Sequence, residues 1–87
     1  MSTDGDGRVP TAEAVLGYLV GALVDEPDAV SIDTRETRRG AALEVRVAPG
    51  DLGRVIGRRG RTAQSIRAVV RAAAARDGAE VDVDFVD

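Results

Sequence analysis

The run Gly53-Arg54-Val55-Ile56-Gly57-Arg58-Arg59-Gly60-Arg61-Thr62 holds the residues best suited to chemistry in this chain of 87. Within it, two glycines bracket two arginines between an aliphatic pair and an amphipathic run. Glycine has no Cβ, so it takes positive φ and lets other groups come close to the backbone. The turn Gly57-Arg58-Arg59-Gly60 therefore brings bare N–H groups and two permanent cations to one spot. Where such a turn opens a helix, whose first N–H groups lack intrahelical partners, it is suited to binding phosphate.

Other chemistries find little to build on. The chain has neither cysteine nor histidine, which removes disulfides, thiolate and imidazole metal ligands, and the usual general base near neutral pH. Its carboxylates are distributed as outward faces and caps, not as an acid/base pair or a metal cluster, so no enzyme activity, cofactor or metal is expected. A P-loop needs Gly-Lys-Ser or Gly-Lys-Thr, and all 12 basic residues are arginine. A dinucleotide fingerprint needs Gly-x-Gly-x-x-Gly directly after a strand. Gly53, Gly57 and Gly60 are spaced differently and enclose a helical stretch, so that pattern fits poorly. The remaining pattern is a Gly-x-x-Gly loop between two helices, which clamps the backbone of about four nucleotides.

The net charge of −3 argues against a nucleic-acid partner until its distribution is considered. Residues 1–50 carry nine acids and five arginines, residues 51–76 one acid and seven arginines, and residues 77–87 five acids and no base. The glycine turn lies in the basic middle. Exclusive use of arginine favours forked contacts to phosphate, with genomic base composition as the competing cause.

The length sets one small domain with one modest core. Residues 1–9, rich in Gly, Asp, Ser and Thr, read as a flexible leader ahead of a single domain over 10–87. Thr11 is placed to cap a helix with Ala12, Val15, Leu16, Leu19, Val20, Leu23 and Val24 at intervals of three and four. Asp25-Glu26-Pro27-Asp28 ends it. Val30, Ile32 and Thr34 then alternate with polar residues, Thr37-Arg38-Arg39-Gly40 turns the chain, and Leu43, Val45 and Val47 point inward, which predicts an antiparallel hairpin. Asp51 is placed to cap a short helix through Leu52, Val55 and Ile56. After the glycine turn, Ile66, Val69, Val70, Ala73 and Ala74 form one face of a longer helix that Asp77-Gly78 ends. A final strand alternates Val81, Val83 and Phe85 with acids that discourage unwanted pairing. The predicted order is α-β-β-α-α-β, an α+β fold with helices packed on one face of a three-stranded sheet. The longest apolar run, Ala14 to Val24, is too short to span a bilayer, and its upstream flank is too acidic for a secretory signal. No membrane association and a cytoplasmic location are expected.

With this context around the loop, the chain resembles the bacterial type II KH domain family, from about Ala12 to Val86. Leu43-Glu44-Val45-Arg46-Val47, Asp51 through Thr62 and Val81-Asp82-Val83 are similar to the small stand-alone KhpA proteins. The resemblance implies a cytoplasmic single-stranded RNA-binding protein acting as a post-transcriptional regulator. It also implies self-association or pairing with a larger KhpB-like KH protein. Carried onto this chain, the loop is Gly57, Arg58, Arg59 and Gly60 and the groove wall is Leu52, Val55 and Ile56. Arg54, Arg61, Arg67 and Arg71 are divided between phosphate contacts and a solvated helix face. With only Tyr18 and Phe85 as aromatics, base stacking does not dominate. A second reading stays open, in which the chain is mainly an assembly subunit and a larger partner reads most of the RNA.

Overall fold

A computed structural model describes residues 9–86. Helix α1 spans Pro10–Leu23, a hairpin is made of β1 (Ser31–Glu36) and β2 (Gly40–Arg46), α2 covers Leu52–Ile56, α3 covers Arg61–Arg76, and β3 runs Glu80–Val86. The α-β-β-α-α-β order is as expected from the hydrophobic periods. Strand order is β1-β2-β3. β1 and β2 are antiparallel, whereas β2 and β3 are parallel, joined through α2 and α3.

One core serves both layers. Leu16 and Val20 of α1, Ile66, Val70 and Ala74 of α3, Leu43 and Val45 of β2, and Val81 and Val83 of β3 meet in it. On the opposite face of the sheet, register places Asp33, Glu44 and Asp84 side by side across the three strands. Like charges directly opposite one another repel. The Arg35 guanidinium, 3.0 Å from the Glu44 carboxylate, offsets part of this. Gly40 opposes Glu80 so closely that a Cβ would collide with the Glu80 backbone, so only glycine permits the parallel pairing to start there.

Several sequence expectations need correcting. Residues 1–8 of the expected leader lie outside the described residues, but Val9 is fully buried in the core. Thr11 does not cap α1. The helix starts at Pro10, with Val9 in the cap position, so Thr11 falls inside the first turn. Its N–H donates to the Asp77 carboxylate at 3.1 Å, as does that of Ala12 at 3.2 Å. Val69 is not on the buried face of α3 but 49% exposed, and Ala63 takes its place in the stripe. A helix advances 100° per residue, which turns Val69 off a stripe centred on Ile66, Val70 and Ala74.

Candidate nucleic-acid interface

The helix that leads into the glycine turn is tied down by Asp51. Pro49–Asp51 forms a single 3₁₀ turn that runs straight into α2. Asp51 is only 3% exposed, and it does not cap α2 as the sequence suggested. Its carboxylate turns the other way and accepts from the N–H groups of Asp25 (3.2 Å) and Glu26 (3.0 Å), fastening α2 to the segment after α1. Arg54 completes the junction. Its Nε is 3.2 Å from Asp51 and its Nη2 3.0 Å from Asp25, so it is engaged with two carboxylates, though half-exposed.

α2 closes with the Gly57 N–H on the Gly53 carbonyl at 2.9 Å. Gly57 has φ 75°, and a Cβ there would fall on the Thr62 hydroxyl and Cβ. Arg59 (φ 56°, ψ 24°) and Gly60 (φ 72°, ψ 14°) are then both left-handed. That conformation costs an arginine on the order of 1–2 kcal/mol, an outlay usually found where a turn has a task. The result is a loop whose Arg58 and Arg59 side chains are exposed. Neither they nor the exposed Arg61 has a hydrogen bond or ion pair to another side chain among the described residues.

α3 begins here with no side-chain cap. Its first N–H groups and the positive end of its dipole are thus aimed at the spot where three arginines gather. Cations are disfavoured at that end of a helix, so the arrangement is most stable with an anion present.

The aliphatic residues divide. Leu52 and Ile56 are half-buried and keep one side open, but Val55 is fully buried. Val55 is therefore core and not groove wall, its side chain enclosed in the core cluster. Along α3, Gly60, Gln64, Arg67, Arg71 and Ala75 recur at three and four and share the flank toward β3. β3 is an edge strand, and Arg67 Nε donates to the Val83 carbonyl at 3.0 Å with its guanidinium 5.5 Å from the Phe85 ring centre. Farther along, a cleft of about 720 Å³ opens between Arg71, the Arg38-Arg39 turn and the start of β3. Glu80, 3.7 Å from Arg39, and Asp82 line the same cleft, so its charge is mixed. Sequence alone joined neither the turn to α3 nor Arg67 to β3, because both contacts depend on the parallel placement of β3. Among the described residues no group of acids is arranged to hold a metal, and no helix is long and apolar enough to cross a membrane.

The family model described as KhpA/KhpB, KH domain, matches residues 13–85. The chain belongs to the KhpA/KhpB KH-domain family. Among KhpA relatives, the RNA-binding protein KhpA of Streptomyces coelicolor is 53% identical over 75 residues, covering 86% of this chain and 94% of the relative. RNA-binding protein KhpA of Leifsonia xyli is 53% identical over 72 residues, covering 83% and 92%. That of Mycobacterium tuberculosis is 50% identical over 70 residues, covering 80% and 84%. A similar fold is also met in a crystal structure of a variant of Aquifex aeolicus Era bound to GDP and aluminium fluoride, at a TM-score of 0.67 and 21% identity. The match covers 98% of this chain and 32% of that one, and it speaks to fold alone.

Proposed function

We propose that this chain binds short single-stranded RNA. Gly57–Gly60 and the start of α3 hold the sugar-phosphate backbone, with Arg58, Arg59 and Arg61 as its cations. Bases lie against Leu52 and Ile56 and along the α3 flank that carries Arg67. Arg54, engaged with Asp25 and Asp51, offsets part of the negative charge beside the loop. The observation that carries this reading is the gathering of unpaired arginines at the uncapped, positive end of α3. The KhpA relatives, named for RNA binding, support it. The setting is cytoplasmic and the role post-transcriptional regulation.

The test is Arg58→Asp combined with Arg59→Asp. Loss of binding to a labelled single-stranded RNA with an unchanged melting temperature is expected; unaltered affinity would falsify the proposal. Contacts to phosphate also make log affinity fall with log salt by about 0.7 per phosphate, a slope the double variant flattens.

Exposed apolar residues favour assembly as a second part of this role. Val69 is 49% exposed and Tyr18 77% exposed. Val69 is two residues, about 200°, around α3 from Arg67, so a partner docked on Val69 leaves the RNA flank open. We assign this side to a homodimer or to a heterodimer with a larger KhpB-like protein. Native mass and RNA cross-linking, with and without that partner, distinguish an RNA reader from a mere assembly subunit. A subunit alone would cross-link little.

A further inference from the structure

Arg67 differs from the other arginines near the loop. Arg58, Arg59 and Arg61 are exposed and unpaired, as befits cations that follow a phosphate. Arg67 is half-buried and fixed at two points. Its Nε–H is committed to the Val83 carbonyl at 3.0 Å, which sets the direction of the guanidinium, and the Phe85 ring 5.5 Å away lies under its plane. Nη1 and Nη2 have no hydrogen bond or ion pair among the described residues. The site lies seven residues, about 10 Å, along α3 from Gly60, on the same flank. Under the RNA-binding reading above, a strand whose backbone is held at the loop brings its bases onto this flank.

A pinned, planar fork reads geometry, whereas a free one supplies charge. Two parallel N–H donors require two adjacent acceptors. Guanine offers O6 and N7, and cytosine offers O2 and N3. Adenine interposes its N6 amino donor between N1 and N7, and uracil interposes N3–H between O2 and O4. We propose that Arg67 is the specificity-determining residue of the groove, its Nη1/Nη2 fork selecting guanine or cytosine over adenine and uracil at one position. The inference rests on the RNA-binding reading above.

The test uses the full chain and uridine decamers whose two central positions are UU, AA, CC or GG, with fluorescence anisotropy at fixed salt. The native chain binds the GG or the CC oligomer about tenfold more tightly than UU and AA, the discrimination of one bidentate pair. Arg67→Lys keeps the charge but not the fork, so the ratio falls to about one while binding persists. Arg67→Gln, which pairs a donor with an acceptor, moves the preference to AA. The melting temperature of each variant is measured alongside, so a lost preference in a folded variant is not mistaken for unfolding. If Arg67 only staples α3 to β3, both variants lower the melting temperature and leave the ratio intact, and the proposal is overturned. An equal loss on all four oligomers makes Arg67 a phosphate contact and overturns it as well. A native chain that binds RNA without preference ends this proposal alone. One that binds no RNA ends the underlying reading too.

Discussion

Asp77, at the C-terminal end of α3, accepts hydrogen bonds from the N–H groups of Thr11 and Ala12 at the start of α1. These are the donors that an N-cap side chain normally satisfies, and Val9 in the cap position has nothing to offer them. One helix end thus caps another across 66 residues of sequence. Asp77→Ala is expected to cost about 1–2 kcal/mol. In a domain of this size each kcal/mol lowers the melting temperature by about 4–8 °C. RNA affinity, measured on the folded variant, stays as it was.

The two loop glycines are not equivalent. At Gly60 a Cβ meets open space, so Gly60→Ala carries only the left-handed penalty, about 1–2 kcal/mol, and Gly60→Asn less. Gly57→Ala must also displace Thr62, whose Cβ and backbone N lie 2.7 Å and 3.0 Å from the added carbon. Urea titration should therefore rank Gly57→Ala as the more damaging change. Shortening Thr62 to alanine should not restore it, since the backbone contact remains.

Asp51 uses both carboxylate oxygens, Oδ1 toward Asp25 N–H and Oδ2 toward Glu26 N–H. Asp51→Ala leaves these two donors without their acceptor and Arg54 with Asp25 alone, a loss of about 1.5–3 kcal/mol. Asp51→Asn should rescue little, because its amide NH₂ faces an N–H donor. Arg54→Ala, at a half-exposed pair, is expected to cost no more than about 1 kcal/mol. Chemical denaturation of the three variants gives that order, and a larger loss for Arg54→Ala would put the strength of the junction in the arginine.

How far the fold could be read from sequence depended on whether a feature was periodic. Alternation at Val81, Val83 and Phe85 and the three-four spacing of Leu16, Val20, Ile66, Val70 and Ala74 located strands and helices and their buried sides. Periodicity says which way a residue faces, not what it faces. Nothing in Glu80–Val86 announces that it pairs parallel with β2, so Arg67's bond to Val83 could not be foreseen. The polar residues misled for a related reason. Thr11 and Asp51 each stand where a local cap would suit. The donors at Thr11 were met by a carboxylate far along the chain, and Asp51 was drawn to distant donors. The resemblance puts Val55 in the groove wall with Leu52 and Ile56, while its own position on a five-residue helix turns it fully inside. At the candidate site, Gly57, Arg58, Arg59 and Gly60 were legible as a turn between two helices from their context, the aliphatic pair before them and the amphipathic run after, and not from the spacing of two glycines alone.

The row of Asp33, Glu44 and Asp84 on the bare face of the sheet has a consequence for encounter in solution. The arginines of α2, α3 and their loop lie in the layer on the other side of the same sheet, within a body only 18 Å across its thinnest dimension. Opposite charge on the two sides of the sheet gives the molecule a permanent electric moment despite its negative total. A polyanion approaching at low salt exerts a torque on it before touching it, which under the proposed function turns the loop toward the strand. Rotational search is shortened, and a nearly neutral, acidic protein captures a nucleic acid as though it were a basic one.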